Sequence, residues 1–324
     1  MIDLDALISL RAVDMHGSVV GAAEALGFTP SAVSQQIKRL ERSAGVPVLE
    51  RVGRGVMLTR HGRHLVDHGT RLLTDLEALE TGLHQQAKTV AGDVRLTAFS
   101  TAMRGLVAPA LPGVLAAHPA LEVTLAEREP WDTIDLVARG ESDLGLVHNW
   151  GDVALQIPDH VVATTIASDL AEVIMRRDHP LARRRSVTPS DLVDERWIAT
   201  PEGSICRQWL HRMYVGTGRL PRIAHVAMEF DSHLALVRAG LGIALVPRLG
   251  RAALAEELVA VPAKDPAPTR TVLALHRRSM ADSPAIEALL DALRAGVGLT
   301  SQGSEPDAQG QDLGTQHQAS PAGR

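Results

Sequence analysis

The sequence is poor in aromatic residues and holds a single cysteine. Phe, Trp and Tyr make up 2% of its 324 residues, so its cores must be built from Leu, Val, Ala and Ile. Cys206 is the only cysteine, which excludes an intrachain disulfide framework and a cysteine-based zinc site. No apolar run approaches the roughly 18 residues of a membrane helix, and the N-terminus, with Asp3 and Asp5, has no signal-peptide core. We therefore predict a cytoplasmic protein without a membrane segment.

Catalytic and metal-binding motifs are also missing. The chain has no Gly-x-Ser-x-Gly elbow, P-loop, dinucleotide-binding glycine fingerprint or His-Glu-x-x-His motif, and its 14 histidines lack metal-ligand spacing. Cys206 beside Arg207 is a candidate nucleophile, but a lone cysteine near a helix start is more often structural. We expect no catalytic residue, no metal and no cofactor, and predict that the protein is not an enzyme.

The pattern of the chain changes several times along its length. Residues 1–59 show three helical patterns and a Gly-containing ribbon, and residues 60–90 read as one long helix within a linker segment, 60–91. From Val94 short β-type runs alternate with helical stretches, which predicts parallel-rich α/β layers. Residues 300–324 are almost free of apolar side chains, which predicts a disordered tail.

The stretch from Ala22 to Arg42 predicts a helix-turn-helix. Ser18 is a candidate cap of one helix, Gly27 can end it, and Thr29-Pro30 can start the next. Val33, Ile37 and Leu40 then form one buried stripe. The opposite face carries Ser31, Ser34, Gln35, Lys38 and Arg42. Ser and Gln can hydrogen-bond base edges in a major groove, while Lys38 and Arg42 can reach phosphates.

A basic ribbon follows this motif. Val46, Val48, Val56 and Leu58 flank a Gly-rich turn that carries Arg51 and Arg54, as in a wing that contacts DNA. Between Pro30 and Arg63 there are seven Lys or Arg against two acids, a net charge of +5 in a chain whose total is −5. This reversal is typical of a DNA-binding face. The alternative is an ordinary charged surface on two amphipathic helices.

Residues 1–62 resemble the N-terminal module of LysR-type transcriptional regulators. The matching elements are Leu7, Leu10, Val13, Gly17-Ser18, Ala22-Ala23, Leu26, "SAVSQQIKRLE", Gly45, Arg51, Arg54, Leu58-Thr59 and Gly62. Val48-Leu49 departs from the usual Leu-Phe. The resemblance implies a winged helix-turn-helix in which Ser31, Ser34, Gln35 and Lys38 contact bases and backbone. It extends more weakly over residues 92–299, where it implies a two-lobed effector domain similar to periplasmic binding proteins.

The helix after Thr59 carries a heptad-like apolar stripe. Its members are Leu65, Leu72, Leu76, Leu79, Leu83 and Val90, with Gly69 and Gln86 in the gaps. The stripe predicts pairing between subunits, and the alternative is packing against the chain's own domain. A homodimer would present two recognition helices to paired half-sites of double-stranded DNA. The resemblance further implies a dimer of dimers.

The effector domain implied by the resemblance would place lobe I at 92–165 and 266–299 and lobe II at 166–265. Candidate ligand contacts follow predicted strands: Ser100, Thr101, His148, Asn149, Thr200, Ser204 and Phe230. Helix starts favour anions, and strand ends form the usual ligand edge. The alternatives are helix caps for the Ser and Thr residues, a structural role for His148, and packing for Trp131 and Trp150.

Two hypotheses follow from these patterns. The first is a DNA-binding regulator whose effector, small and polar or anionic, binds between the lobes, shifts their arrangement and so changes DNA geometry and contact with RNA polymerase. The second is a solute-binding protein or enzyme whose N-terminal helices serve only dimerisation. The recognition helix and basic wing favour the first. The patterns do not distinguish an activator from a repressor.

Overall fold

The computed structural model describes residues 2–53, 55–151 and 153–302. Its helices are α1 (Leu4–His16), α2 (Val19–Leu26), α3 (Pro30–Ala44), α4 (Arg60–Ala87), α5 (Ser100–Ala102), α6 (Ala108–Ala117), α7 (Pro130–Ala138), α8 (Ile205–Met213), α9 (Phe230–Arg238) and α10 (Pro284–Gln302). Its strands are β1 (Leu49–Val52), β2 (Gly55–Leu58), β3 (Gly92–Ala98), β4 (Leu121–Glu127), β5 (Leu144–Trp150), β6 (Val161–Arg176), β7 (Arg196–Ala199), β8 (Arg222–Val226), β9 (Ile243–Pro247), β10 (Leu258–Pro262) and β11 (Thr269–Arg277).

The helix-turn-helix forms where the capping residues predict it. The Ser18 hydroxyl accepts a hydrogen bond from the Gly21 N–H at 2.9 Å, and α2 ends at Gly27 with φ +68°. Thr29 caps α3 by accepting from the Ala32 N–H at 3.2 Å, with Pro30 at the first helical position. The inner face of α3 is buried against α1 and α2 through Val33, Ile37 and Leu40. The predicted motif is confirmed.

The ribbon after α3 is a short antiparallel hairpin. β1 pairs with β2 so that Val52 lies opposite Gly55, and Gly53 takes a left-handed φ of +58° in the turn. Val48 and Leu58 are buried against the helical core, which fixes the base of the hairpin. The outer end of the hairpin stays exposed.

The long helix α4 shares its apolar stripe between two environments. Leu65 and Val90, near its ends, pack on the cores of the chain itself. Four leucines between them are exposed: Leu72, Leu76, Leu79 and Leu83. Gly69 faces α1, where an added Cβ would lie 3.3 Å from the Leu7 side chain. The helix ends at Ala87 rather than near Val90, because Lys88 adopts a left-handed conformation.

The remaining strands form one mixed sheet of nine. Parallel ladders lie at both ends, β4-β3-β5 and β9-β7-β8, and antiparallel ladders of β11 and β6 join them. The predicted parallel pairing is therefore found at both ends of the sheet but not at its centre, where the strands pair antiparallel. Residues 161–176 form the single long strand β6, and β10 pairs with its second half.

The strand β6 belongs to both lobes of this region. Its first half pairs with β11 in lobe I, and its second half pairs with β9 and β10 in lobe II. The chain returns from lobe II through residues 263–268 into β11. Each lobe has its own apolar core, one under α6 and α10 and the others under α8 and α9. The cleft between the lobes consequently lies beside the crossing point of β6.

The C-terminal helix is longer than the sequence indicates. The predicted tail starts at residue 300, but α10 continues to Gln302. Residues 303–324 of the predicted tail lie outside the described residues. Arg54 lies outside them as well.

Candidate DNA-contact surface and ligand cleft

The outer face of α3 presents polar side chains with different freedom. Ser31 and Gln35 are exposed. Ser34 donates its hydroxyl proton to the Pro30 carbonyl at 2.8 Å, so in this arrangement it offers an outside group only acceptor lone pairs. Gln36 turns inward and accepts a hydrogen bond from Ser9. Of the two neighbouring glutamines, only Gln35 is therefore free for a donor and acceptor contact with a base.

Cations flank this polar face. Lys38 and Arg42 lie further along α3, and Arg42 donates from Nε to the Lys38 carbonyl at 3.3 Å. Arg51 is exposed on β1, opposite Val56. Within the described part of the chain, neither Lys38 nor Arg51 has an acidic partner within salt-bridge distance. Their charges are accordingly available to an anionic surface such as a phosphate backbone.

A small cavity lies between the lobes where several strands end. It is lined by Phe99, Ser100, Thr101, Glu129, Trp131, His148, Thr200, Ser204, Ile205, Cys206, Met228, Phe230 and Arg270. Six of the seven residues proposed from the sequence are among them, and Asn149 is the exception. The cavity volume is about 20 Å³, which is room for about one water molecule.

Asn149 faces away from the cavity because successive strand residues point to opposite faces. His148 and Asn149 are neighbours on β5, and only His148 points into the cleft. The Asn149 side chain accepts a hydrogen bond from the Thr271 N–H of β11 at 3.2 Å. Its proposed ligand contact has no support in this arrangement, and its role here is to brace the adjoining strand.

Arg270 forms the floor of the cavity, and nothing in the sequence pattern singles it out. Its side chain is fully buried and donates to Asp169 Oδ2 at 2.8 Å and to the Thr101 hydroxyl at 2.9 Å. The guanidinium carbon lies 5.3 Å from the Phe99 ring centroid and 5.9 Å from that of Trp150. Nη1 is buried and has no hydrogen-bond partner among the described residues.

The hydroxyls around Arg270 divide between structural and open roles. Ser204 caps α8 by accepting from the Arg207 N–H at 3.2 Å, and it also contacts the Thr200 hydroxyl at 2.6 Å. Ser204 is therefore a helix cap that also lines the cavity. The caps of α5 and the turn after it involve no side-chain hydrogen bond, so Ser100 and Thr101 are not caps.

Aromatic and imidazole groups complete the wall. His148 is buried against Phe99 in an edge-on contact with 4.5 Å between ring centroids. Burial, helped by the charge of Arg270, lowers the pKa of His148 well below its usual value, so the ring is neutral. Trp150 is buried in the lobe II core, as the packing alternative predicts, whereas Trp131 is 40% exposed beside the cavity.

Two titratable groups that are not among the predicted ligand contacts also line the cavity. Burial raises the pKa of Glu129 to about 7, and the charges of Glu229, Glu127 and Asp132 add to the shift. Burial also raises the pKa of the Cys206 thiol to about 12, so the thiol stays protonated at neutral pH. A protonated thiol is a poor nucleophile. The described residues contain no cluster of three or more His, Cys, Asp or Glu side chains that could hold a metal ion.

A second, larger groove separates the helix-turn-helix from lobe I. Its volume is about 780 Å³, and it is lined by α1, α4 and the start of β3. One ion-pair network bridges it. Arg277, at the end of β11, donates to Glu77 of α4 at 2.9 Å and to Asp143 at 2.7 Å, and Asp143 also accepts from Arg95 at 2.8 Å. The long helix is thus tied to the effector lobe by charged side chains, of which Arg277 and Asp143 are buried.

The fold, the DNA-contact surface and the ligand cleft together define a class of protein. A winged helix-turn-helix with an exposed polar face is joined by a long helix to two α/β lobes that enclose a polar cleft. Within the described ranges no helix combines the length and apolarity needed to cross a bilayer.

Comparison with known proteins places the chain within that class. Residues 4–63 match the bacterial regulatory helix-turn-helix of the lysR family, and residues 87–298 match the LysR substrate binding domain. The chain belongs to the LysR family of transcriptional regulators.

Relatives of known name are regulators. The small neutral protease regulatory protein of Streptomyces coelicolor is 32% identical over 68% of this chain, and the chain covers 66% of that protein's length. A hydrogen peroxide-inducible genes activator of Pectobacterium carotovorum is 24% identical over 90% of this chain and 95% of its own. None of these names describes an enzyme.

Solved structures share the fold over nearly the whole chain. A full-length OxyR variant from Pseudomonas aeruginosa superposes with a TM-score of 0.68 at 22% identity, over 91% of this chain and 98% of its own. Full-length BenM superposes with a TM-score of 0.57 at 24% identity, over 94% and 99%. These likenesses confirm the predicted fold class.

Proposed function

We propose that the protein binds duplex DNA through α3 and the β1–β2 wing, and that a small polar or anionic effector in the interlobe cleft controls this binding. The observation that carries the proposal is the exposed polar face of α3, flanked by the uncommitted cations Lys38 and Arg51. Ser31, Ser34 and Gln35 would meet base edges, while Lys38, Arg42, Arg51 and Arg54 would meet phosphates or the minor groove.

Domain limits follow the same proposal. Residues 1–59 would form the DNA-binding domain, 60–91 the linker helix and 92–299 the effector domain. The exposed leucines of α4 support pairing with a second copy, because an apolar stripe of this spacing is buried in helix dimers. Pairing of such dimers and contact with RNA polymerase extend the proposal. The family match gives no support to the alternative of a solute-binding protein or an enzyme.

The size of the cleft supports control by population shift. In this arrangement the cavity, near 20 Å³, has room for about one water molecule, so we expect effector binding to widen the cleft or rotate its side chains. An effector would therefore favour an arrangement other than this one, which is the requirement for a ligand to shift an equilibrium. His148, Thr200, Ser204 and Phe230 would contact the effector together with Ser100 and Thr101.

The salt dependence of DNA binding tests the wing. Fluorescence anisotropy with a labelled duplex from the intergenic region beside the gene gives log Kd against log salt concentration. Arg51→Ala should lower the slope by about 0.9 for each chain bound, because one phosphate contact is lost. Arg183→Ala, which removes an exposed cation of lobe II, should leave the slope unchanged. If Arg51→Ala and the parent protein have equal slopes of log Kd against log salt concentration, the wing does not contact the DNA phosphates.

Sequence preference tests the recognition helix separately. Gln35→Ala should reduce discrimination between the intergenic duplex and a scrambled duplex, because a bidentate base contact contributes about 1–3 kcal/mol of discrimination. Gln36→Ala is a matched control for stability, since Gln36 faces Ser9. An equal loss of affinity on both duplexes would show that Gln35 does not contact a base.

A further inference from the structure

The unpaired nitrogen of Arg270 marks where an acceptor belongs in the cleft. The guanidinium is wholly buried, and its Nε and Nη2 are used by Asp169 and Thr101. Nη1 lacks a described partner. A buried donor on a cation is costly to leave unpaired. A carboxylate is the acceptor that guanidinium binds best, because its charge and planar shape match.

Asp169 cannot supply this acceptor. One of its oxygens, Oδ1, accepts from the Leu170 N–H at 2.8 Å and the Leu249 N–H at 3.1 Å. The other, Oδ2, holds the Nε of Arg270 at 2.8 Å. Oδ2 also contacts Nη2 of Arg270 at 2.8 Å. These four contacts hold Asp169 in place, so it orients the arginine and leaves Nη1 to be satisfied from elsewhere. The hydroxyl of Ser100 lines the same cavity and can donate to the same acceptor.

Glu129 lines the same cavity as Arg270 and is an acidic group, opposite to it in charge. It stands at the N-cap position of α7, yet its side chain makes no capping hydrogen bond. Within the described ranges its carboxyl group has no hydrogen-bonding or ion-pairing partner. Acidic side chains surround it: Glu127, Asp132 and Glu229. A partly buried carboxylate among like charges is stabilised by an added cation.

Arg270 and Glu129 are placed to contact the same bound molecule. Both line the cavity, and the thiol of Cys206, another lining group, lies within electrostatic range of both. The cavity wall thus offers two groups to a single bound molecule. One is the Arg270 guanidinium with its unpaired N–H donor, and the other is the Glu129 carboxylate, which lacks a cationic partner among the described residues. Phe99 and Ile205 supply apolar contacts beside them.

We propose that the effector is a small amino-carboxylate, whose carboxylate binds Arg270 Nη1 and Ser100 and whose ammonium group binds Glu129. This inference rests on the proposed effector function of the cleft. A carboxylate without an amine would satisfy Arg270 and leave Glu129 among like charges. An amine without a carboxylate would leave the buried guanidinium unpaired. Selectivity then comes from the two charges at once.

A ligand panel on the full-length protein tests the class. The probes are the common amino acids, β-alanine and 4-aminobutyrate at millimolar concentration, first by thermal shift and then by calorimetric titration. The best ligand is compared with its deaminated acid and its decarboxylated amine. Each analogue should bind about 10- to 100-fold more weakly, as expected when one charged hydrogen-bonded contact is lost. The proposal fails if no amino-carboxylate binds, or if the deaminated acid binds as tightly.

A variant assigns the ammonium contact. Glu129→Gln should weaken amino-carboxylate binding by about 10- to 100-fold and should not weaken binding of the deaminated acid. Asp132→Asn removes a nearby exposed acid that does not line the cavity, and it should change both affinities little. If Glu129→Gln weakens both ligands equally, Glu129 supports the fold of the cleft and does not recognise an amine.

The pH dependence of ligand affinity distinguishes ammonium recognition by Glu129 from a purely structural role, which would not produce such a dependence. Because the pKa of Glu129 is raised to about 7, its carboxylate forms as pH rises through that range, and affinity for the ammonium group should rise with it. Glu129→Gln should abolish this rise. The other charged or titratable groups around it are Arg104, Glu127, Asp132, His148, Cys206, Glu229 and Arg270. A rise that persists in Glu129→Gln would assign the effect to one of them.

The outcomes separate this inference from the proposed function. Binding of simple carboxylates alone would refute the amino-carboxylate class and keep an effector cleft. Binding of an amino-carboxylate without any change in DNA affinity or DNA bending would keep the ligand class and refute effector control.

Discussion

Replacing Gly105 with alanine should force the two lobes apart at a point where their backbones approach closely. Gly105 lies in the π-helical turn Met103–Val107 of lobe I. A Cβ there would lie 2.6 Å from the backbone nitrogen of Gly250 and 2.7 Å from a methyl group of Leu249, both in lobe II. Backbone atoms cannot move aside like the end of a side chain, so the lobes themselves must shift.

The magnitude follows from two opposing terms. Extra volume in a well-packed contact costs about 1–3 kcal/mol, while alanine in a helix is favoured over glycine by about 1 kcal/mol. Gly113→Ala is the matched control, because Gly113 lies in α6 and an added Cβ meets no atom within 4 Å. The helix term is common to both, so the two variants should differ by about 1–3 kcal/mol.

Thermal unfolding followed by circular dichroism measures this difference. For a unit of the size of the effector region, 1 kcal/mol corresponds to about 2–4 °C in the midpoint, so Gly105→Ala should unfold about 2–12 °C below Gly113→Ala. Equal midpoints would show that the lobes do not touch at Gly105 in solution. The inference that the cleft is closed and must widen to admit an effector would then fail as well.

Three further predictions concern buried polar networks. Glu77→Gln should weaken the contact of α4 with lobe I by about 1.5–3 kcal/mol, since Arg277 loses a charged acceptor, and hydrogen–deuterium exchange across residues 60–87 should rise. Tyr214→Phe should cost about 1–3 kcal/mol in urea unfolding, because the Trp197 indole N–H loses its acceptor at 2.7 Å; an unchanged urea midpoint would contradict this. Although burial raises it, hydrogen bonds and charges of neighbouring arginines lower the pKa of Asp143; its stabilising contribution should be full above about pH 4 and lost as pH falls through the folded-state pKa. Asp143→Asn should flatten that acid limb, and an unaltered limb would refute the assignment.

The N-terminal unit could be predicted closely because its signals are local. A cap such as Ser18 or Thr29 acts within one helical turn, and the stripe from Val33 to Leu40 is set by helical period alone. The end of α4 was placed three residues too late for a related reason. Lys88 adopts a left-handed conformation that is uncommon for a residue other than glycine, and no residue pattern announces it.

The cleft could be predicted only in part. Groups that directly follow a strand, such as Ser100 and Thr200, do line the cavity, because parallel strand ends gather at one edge. Asn149 lies outside the cavity lining, because neighbouring residues of β5 point to opposite faces of the sheet. Glu129 was missed because its importance comes from burial and from the acids around it, which tertiary structure alone brings together.

The two arginines that the pattern did not reveal lie on one strand and connect the two functional regions. Arg270 stands near the start of β11, on the floor of the cleft, and Arg277 stands at its end, paired with Glu77 of α4. In the sequence they look like ordinary charged boundaries of the apolar run "TVLAL". The strand is hydrogen-bonded on both sides, to β5 and β6. One end therefore cannot shift without breaking ladder hydrogen bonds or carrying the other end with it. A ligand that pairs with Arg270 thus acts on the same rigid element that holds the linker helix.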